Sequence, residues 1–128
     1  VTTDDFLGSF CVDMQHGLLI FRDINSVDTH EGWDGDAVHA VADSLYLRVQ
    51  PSVDGPVSVE VFGSDEPTYE GIVLYDGSIT SRHGEFVLHD PNDWISMRVI
   101  TDEAGTARLR VTGDHKLMPS VVRIQLWY

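Results

Sequence analysis

Leu45-Tyr46-Leu47-Arg48-Val49-Gln50, followed by Val57-Ser58-Val59-Glu60-Val61, sets an apolar side chain at every second position with a more polar one between. Neighbouring side chains on a strand point to opposite faces, so this rhythm describes strands that bury one face. Pro51 to Pro56 separates the two runs, and with Asp54 and Gly55 inside it the segment has turn chemistry; a hairpin is predicted. Working outward, the alternation returns in Thr68 to Asp76, Glu85 to His89, Trp94 to Ile100, Thr106 to Thr112 and Val121 to Trp127. Breaks fall at Asp76 and Gly77, Asp90 to Asp93, Asp102 to Gly105 and around Pro119. Upstream, Ser9 to Met14 and Leu18 to Arg22 read as strands joined through Gln15, His16 and Gly17, and the unbroken apolar run Leu18 to Phe21 suits burial on both faces. The pattern predicts an all-β chain: a single-domain β-sandwich or jelly roll over residues 1–128, with about nine mostly antiparallel strands.

Asn25 to Asp43 breaks the rhythm and carries Asp28, His30, Glu31, Trp33, Asp34, Asp36, His39 and Asp43. Ala37 to Ala42 suits one helical turn, which is too short to stand unaided, so one long loop or short helix packed on the sheets is expected around residues 25–43. Long loops on rigid β scaffolds often carry function.

The 128 residues, 42% of them hydrophobic, suffice for one continuous core. No run approaches the roughly 20 apolar residues of a membrane helix, and Val1 to Asp5 lack the features of a secretory signal. The single cysteine, Cys11, cannot form an internal disulfide, which suggests a reducing, cytoplasmic compartment. Between Phe10 and Val12 it reads as a small buried thiol rather than a nucleophile.

Net charge is −13, unevenly spread: residues 1–80 hold 15 Asp or Glu against Arg22 and Arg48 alone, while residues 81–128 hold six of each sign. Such a field repels phosphate backbones and anionic bilayers and steers a cationic protein inward; it also keeps a protein soluble. Direct nucleic-acid binding is therefore disfavoured.

The sequence has no GxSxG elbow, glycine-rich phosphate loop, HExxH helix or paired cysteines, so no catalytic residue is assigned and no cofactor is expected. Asp28, His30, Asp34, Asp36 and His39 offer oxygen and imidazole ligands for a divalent metal, but not in the register of an EF-hand. His16, His83, His89 and His115 read as surface histidines. Trp33, Tyr69, Tyr75, Trp94, Trp127 and Tyr128 are material for a carbohydrate-binding face. Trp127 is out of phase with Val122, Ile124 and Leu126 and belongs on the opposite face of its sheet.

An early apolar strand pair, Ser9 to Arg22, leads to Trp33-Asp34-Gly35-Asp36-Ala37-Val38, to Ala42-Asp43-Ser44 and to the alternating Leu45 to Gln50. Thr68-Tyr69-Glu70 then opens a strand, a glycine turn precedes Thr106 to Val111, and the chain ends Val122-Arg123-Ile124-Gln125-Leu126-Trp127. In this order of elements the chain resembles the competence protein J family, small bacterial β proteins whose named member inhibits a DNA-entry nuclease. The resemblance implies a β-sandwich and, beyond it, nuclease inhibition; the family has no active-site motif to place here.

The expectation is a non-enzymatic acidic protein-binding module, an inhibitor or immunity protein that masks the basic groove of a nuclease or nuclease toxin. Its partner-binding residues are Asp28, Glu31, Trp33, Asp34 and Asp36. The alternative is a β-sandwich that binds a ligand, carbohydrate or divalent metal, with an enzyme of unrecognised type below both. A cationic protein is the expected partner, with no direct nucleic acid and no membrane; a homo-oligomer stays open.

Overall fold

The alternating segments hydrogen-bond into two five-stranded sheets in the computed structural model, which describes residues 4–64 and 71–128. The strands are β1 Asp4–Val12, β2 Leu18–Asp23, β3 Val38–Val41, β4 Ser44–Arg48, β5 Val57–Ser64, β6 Ile72–Ser81, β7 Glu85–His89, β8 Ser96–Ile100, β9 Gly105–Gly113 and β10 Val121–Trp127. Sheet A has the order β1-β5-β10-β9-β6 and sheet B the order β3-β4-β2-β7-β8. Every pairing is antiparallel except that of β5 with β10, which is parallel.

The two-residue rhythm sets the register. Val57, Val59 and Val61, with Leu109, Val111, Ile124 and Leu126, line the inner face of sheet A. They meet Leu19, Phe21, Leu45, Leu47, Phe86 and Leu88 of sheet B, where the rings of Phe21 and Phe86 stack with centroids 5.1 Å apart. Burying each such side chain contributes about 1.5–3 kcal/mol, and a one-residue slip would turn a whole row to solvent. Trp127 lies on the outer face of sheet A as its phase requires, under the guanidinium of Arg108 at 4.9 Å from the ring centroid.

The structure corrects four expectations and leaves one untouched. Pro51 to Pro56 does not close a hairpin: β4 belongs to sheet B and β5 to sheet A, so the segment crosses between layers. Both edges of β5 are already taken, by β1 and by β10, and no edge remains for β4. Val38–Val41 is not a helical turn but a strand, paired with β4 from Val38↔Leu47 to Val41↔Ser44. Four residues cannot sustain a helix, yet beside an existing strand they gain a ladder of hydrogen bonds, and Val38 and Ala40 pack against the core. Cys11 is exposed, not buried. It sits opposite Ser58 on the outer face, while Phe10 and Val12 turn inward opposite Val59 and Val57. His89 is buried rather than on the surface, for a reason given below. Thr68 to Glu70, expected to open a strand, lie outside the described residues; β6 begins at Ile72.

Candidate functional site

The outer face of sheet B is covered by the segment between β2 and β3. On β2, Leu19 and Phe21 face the core, yet Leu18 and Ile20 on the opposite side are also buried, at 8% and 6% exposure. Hence the unbroken apolar run, since a strand with both faces covered needs no polar phase. Ile20 stands between Tyr46 of β4 and His89 of β7, and Arg22 between Ser44 and Val87.

Arg22 ties the start of the covering segment down. Its Nη1 donates to the Ser26 carbonyl at 2.7 Å and its Nε to His89 Nε2 at 3.0 Å. His89 Nδ1 in turn lies 2.8 Å from both the Asp90 carbonyl and Asp93 Oδ1, so both ring nitrogens are partnered. That satisfaction is what allows a polar-phase histidine to be buried. Ser26 Oγ donates to Asp43 Oδ1 at 2.8 Å, and Asp23 N–H to the Asp43 carbonyl at the same distance, which joins the segment to the β3–β4 turn.

His30 is the middle anchor. With a left-handed φ of 53°, it sends its ring under the loop, flat against Tyr46 with centroids 3.7 Å apart. Its Nε2 lies 2.7 Å from Ser44 Oγ and its Nδ1 2.8 Å from His39 Nδ1. Burial holds its pKa below the ordinary 6.5; Asp28 opposes that shift, His39 adds to it and Asp43 opposes it. Trp33 meets Tyr46 edge-on at 5.3 Å and donates from its indole Nε1 to the Asp36 carbonyl at 3.1 Å. Arg48 fastens the far end, donating from Nε to the Gly35 carbonyl at 2.7 Å with its guanidinium 5.5 Å from the Trp33 ring centroid. Both cations of residues 1–80 are therefore spent on loop carbonyls rather than on loop carboxylates.

Of the five predicted contact residues, Asp28, Glu31, Asp34 and Asp36 are exposed and Trp33 is half-buried. Among the described residues none of the four carboxylates joins an ion pair, whereas Asp76, Glu60 and Glu85 elsewhere pair with arginines. Asp28 accepts the His30 N–H at 2.6 Å and Asp34 the Asp36 N–H at 3.1 Å, local bonds that shape the loop without neutralising it. Val27, Asp28, Thr29, Glu31, Val41 and Asp43 line an open hollow of about 420 Å³. Asp34 and Asp36 lie towards the other end, beside Trp33 and Arg48, and do not line the hollow.

Among the described residues no three His, Cys, Asp or Glu side chains converge as metal ligands. His30 and His39 do meet, but each directs Nδ1 at the other. Trp33 lies over sheet B, Trp127 on the outside of sheet A, and Trp94 stands 70% exposed before β8, so these three do not share one platform. Sequence reading missed Arg22, Ser26, Asp43, Tyr46 and Arg48 as the fixtures of the loop. The available signal was the isolation of Arg22 and Arg48 among 15 acidic residues.

Two sheets of these orders make the chain a β-sandwich, and its fold is similar to that of competence protein J. Similar solved structures include ComJ from Bacillus subtilis, an inhibitor of the DNA-degrading activity of NucA, with a TM-score of 0.72, 9% identity and 98% of each chain covered. Another is the crocagin biosynthetic gene J protein, with a TM-score of 0.65, 15% identity and the same coverage. At such identities the likeness is one of fold. No family model and no curated protein matches the chain.

Proposed function

We propose that the chain is a non-enzymatic inhibitor or immunity protein, and that Asp28, Glu31, Trp33, Asp34 and Asp36 cover the basic groove of a nuclease or nuclease toxin. The reading rests on one observation: four exposed carboxylates without ion-pair partners among the described residues, carried on a loop that arginines and stacked rings hold in place. A groove that binds nucleic acid concentrates positive charge to meet phosphates, and carboxylates held at fixed spacing can take their place. A loop ordered before binding loses less entropy when it docks. Trp33, half-buried and braced by Arg48, supplies an aromatic anchor of the kind that dominates interface energies. The fold shared with an inhibitor of a DNA-degrading enzyme supports this reading over catalysis.

Association kinetics with basic nucleases test it, beginning with any encoded beside this chain. Replacing Asp34 and Asp36 together by asparagine should slow association about 3- to 10-fold at low salt and flatten its salt dependence. Association rates equal to wild type at every ionic strength would reject this surface.

A further inference from the structure

Two imidazole rings meet between the acidic loop and sheet B. The facing atoms of His30 and His39 are both Nδ1, 2.8 Å apart, and His30 is only 3% exposed. A hydrogen bond between ring nitrogens needs one N–H and one lone pair, so this contact accommodates a single proton. When neither ring is charged the bond is made. When His39 alone is charged it donates to His30, and the bond is strengthened by the charge. When both are charged, two N–H groups confront one another and two like charges sit in contact, one of them on a buried ring.

The groups facing the pair are known from every element packed on it. Tyr46 and Ser44 come from β4, Asp28 from the loop and Asp43 from the β3–β4 turn. Both carboxylates favour a charged His30, but burial, together with His39, outweighs them. Arg22 and Arg48 are directed at the carbonyls of Ser26 and Gly35. The pair also lies at a joint of the loop, because the His30 N–H is held by Asp28 and its carbonyl accepts the Trp33 N–H at 3.1 Å. Asp28 to Trp33 must therefore move with the ring.

We propose that His30 and His39 form a proton-operated latch, which holds the acidic loop on sheet B while the pair carries at most one charge and releases it when both rings are charged. Acidification then loosens the segment bearing Asp28, Glu31, Asp34 and Asp36. The latch is a property of the chain alone and holds whether or not the loop meets a nuclease.

The experiment follows ring nitrogens and backbone amides of the isolated protein by NMR from about pH 7.5 to about pH 5. Hydrogen-exchange protection of the His30 and Trp33 amides, corrected for intrinsic rates, should fall by up to about tenfold per pH unit as pH drops from about 6.5 towards the lower pKa of the buried His30, while core amides such as Val59 keep theirs. In His39→Gln the side-chain carbonyl accepts from His30 Nδ1–H in either charge state, so only the burial of His30 still opposes its charge and the loop should lose clearly less protection than wild type over the same range. Titration of the wild-type His30 ring with unchanged loop protection would overturn the latch, as would a His39→Gln loop that opens with the wild-type pH profile. Should His39→Gln fail to fold, the wild-type comparison decides alone.

Discussion

Replacing Ile20 by alanine probes whether the acidic loop covers sheet B. Ile20 points away from the sandwich core, a position that in a sheet with one solvated face would be exposed and nearly indifferent to truncation. Here it is 6% exposed, between Tyr46 and His89. Ile20→Ala removes three carbons at about 0.8 kcal/mol each, roughly 2.4 kcal/mol before any cavity is counted. Its cross-strand neighbours are themselves fixed, Tyr46 under the stacked His30 ring and His89 by Arg22 and Asp93, so they cannot freely collapse into the space. The total should therefore fall in the range of about 2.5–4 kcal/mol typical of core truncations. Urea unfolding followed by circular dichroism measures it, with a lower midpoint and an unchanged slope expected. A loss below about 1 kcal/mol would mean that this face is wet, and the fixed presentation of the carboxylates would fall with it.

Two further outcomes follow from the same contacts. Unfolded His30 takes up its proton near the ordinary 6.5 and the folded ring only at lower pH, so its contribution is constant above that value and declines as pH falls from 6.5 towards the folded pKa. The stability advantage of wild type over His30→Gln should shrink across that window, and urea midpoints showing a constant gap would contradict the assignment. Gly84 has φ 73°, and an added Cβ would press on the backbone nitrogen and carbonyl of Glu103 and on Thr101 Oγ1. Gly84→Ala should cost about 2–4 kcal/mol by thermal or urea unfolding, and a cost under about 1 kcal/mol would show that this β6–β7 connection is not so constrained.

The strands were legible because a one-sided sheet writes its burial into the chain at period two, as in Leu45 to Val49 and Val57 to Val61. Their allocation to sheets was not. A six-residue Pro/Gly connection looks alike whether it reverses within a sheet or crosses between two, and only the partners of β5 decide. β3 escaped because its four residues lie at an edge and are all half-buried, so neither phase of Val38-His39-Ala40-Val41 stands out. Composition marked the acidic loop, in which the structure leaves Asp28, Glu31, Asp34 and Asp36 exposed. It could not reveal the underside. The burial of His30 and His89 depends on what packs over them, which comes from residues as far apart as Arg22 and Asp93.

The placement of β10 at the centre of sheet A bears on how the protein is made. Val121–Trp127 separates β5 from β9, so until that stretch has left the ribosome the β1–β5 pair and the β6–β9 pair have nothing to join them. Folding of this layer must wait for β10, and the parallel register of Val121 with Ser58 closes a long loop at an entropic cost. Between the making of β5 and that of β10 the nascent polypeptide therefore carries the valine-rich edge of β5 unpaired, the interval in which a chaperone has most to shield.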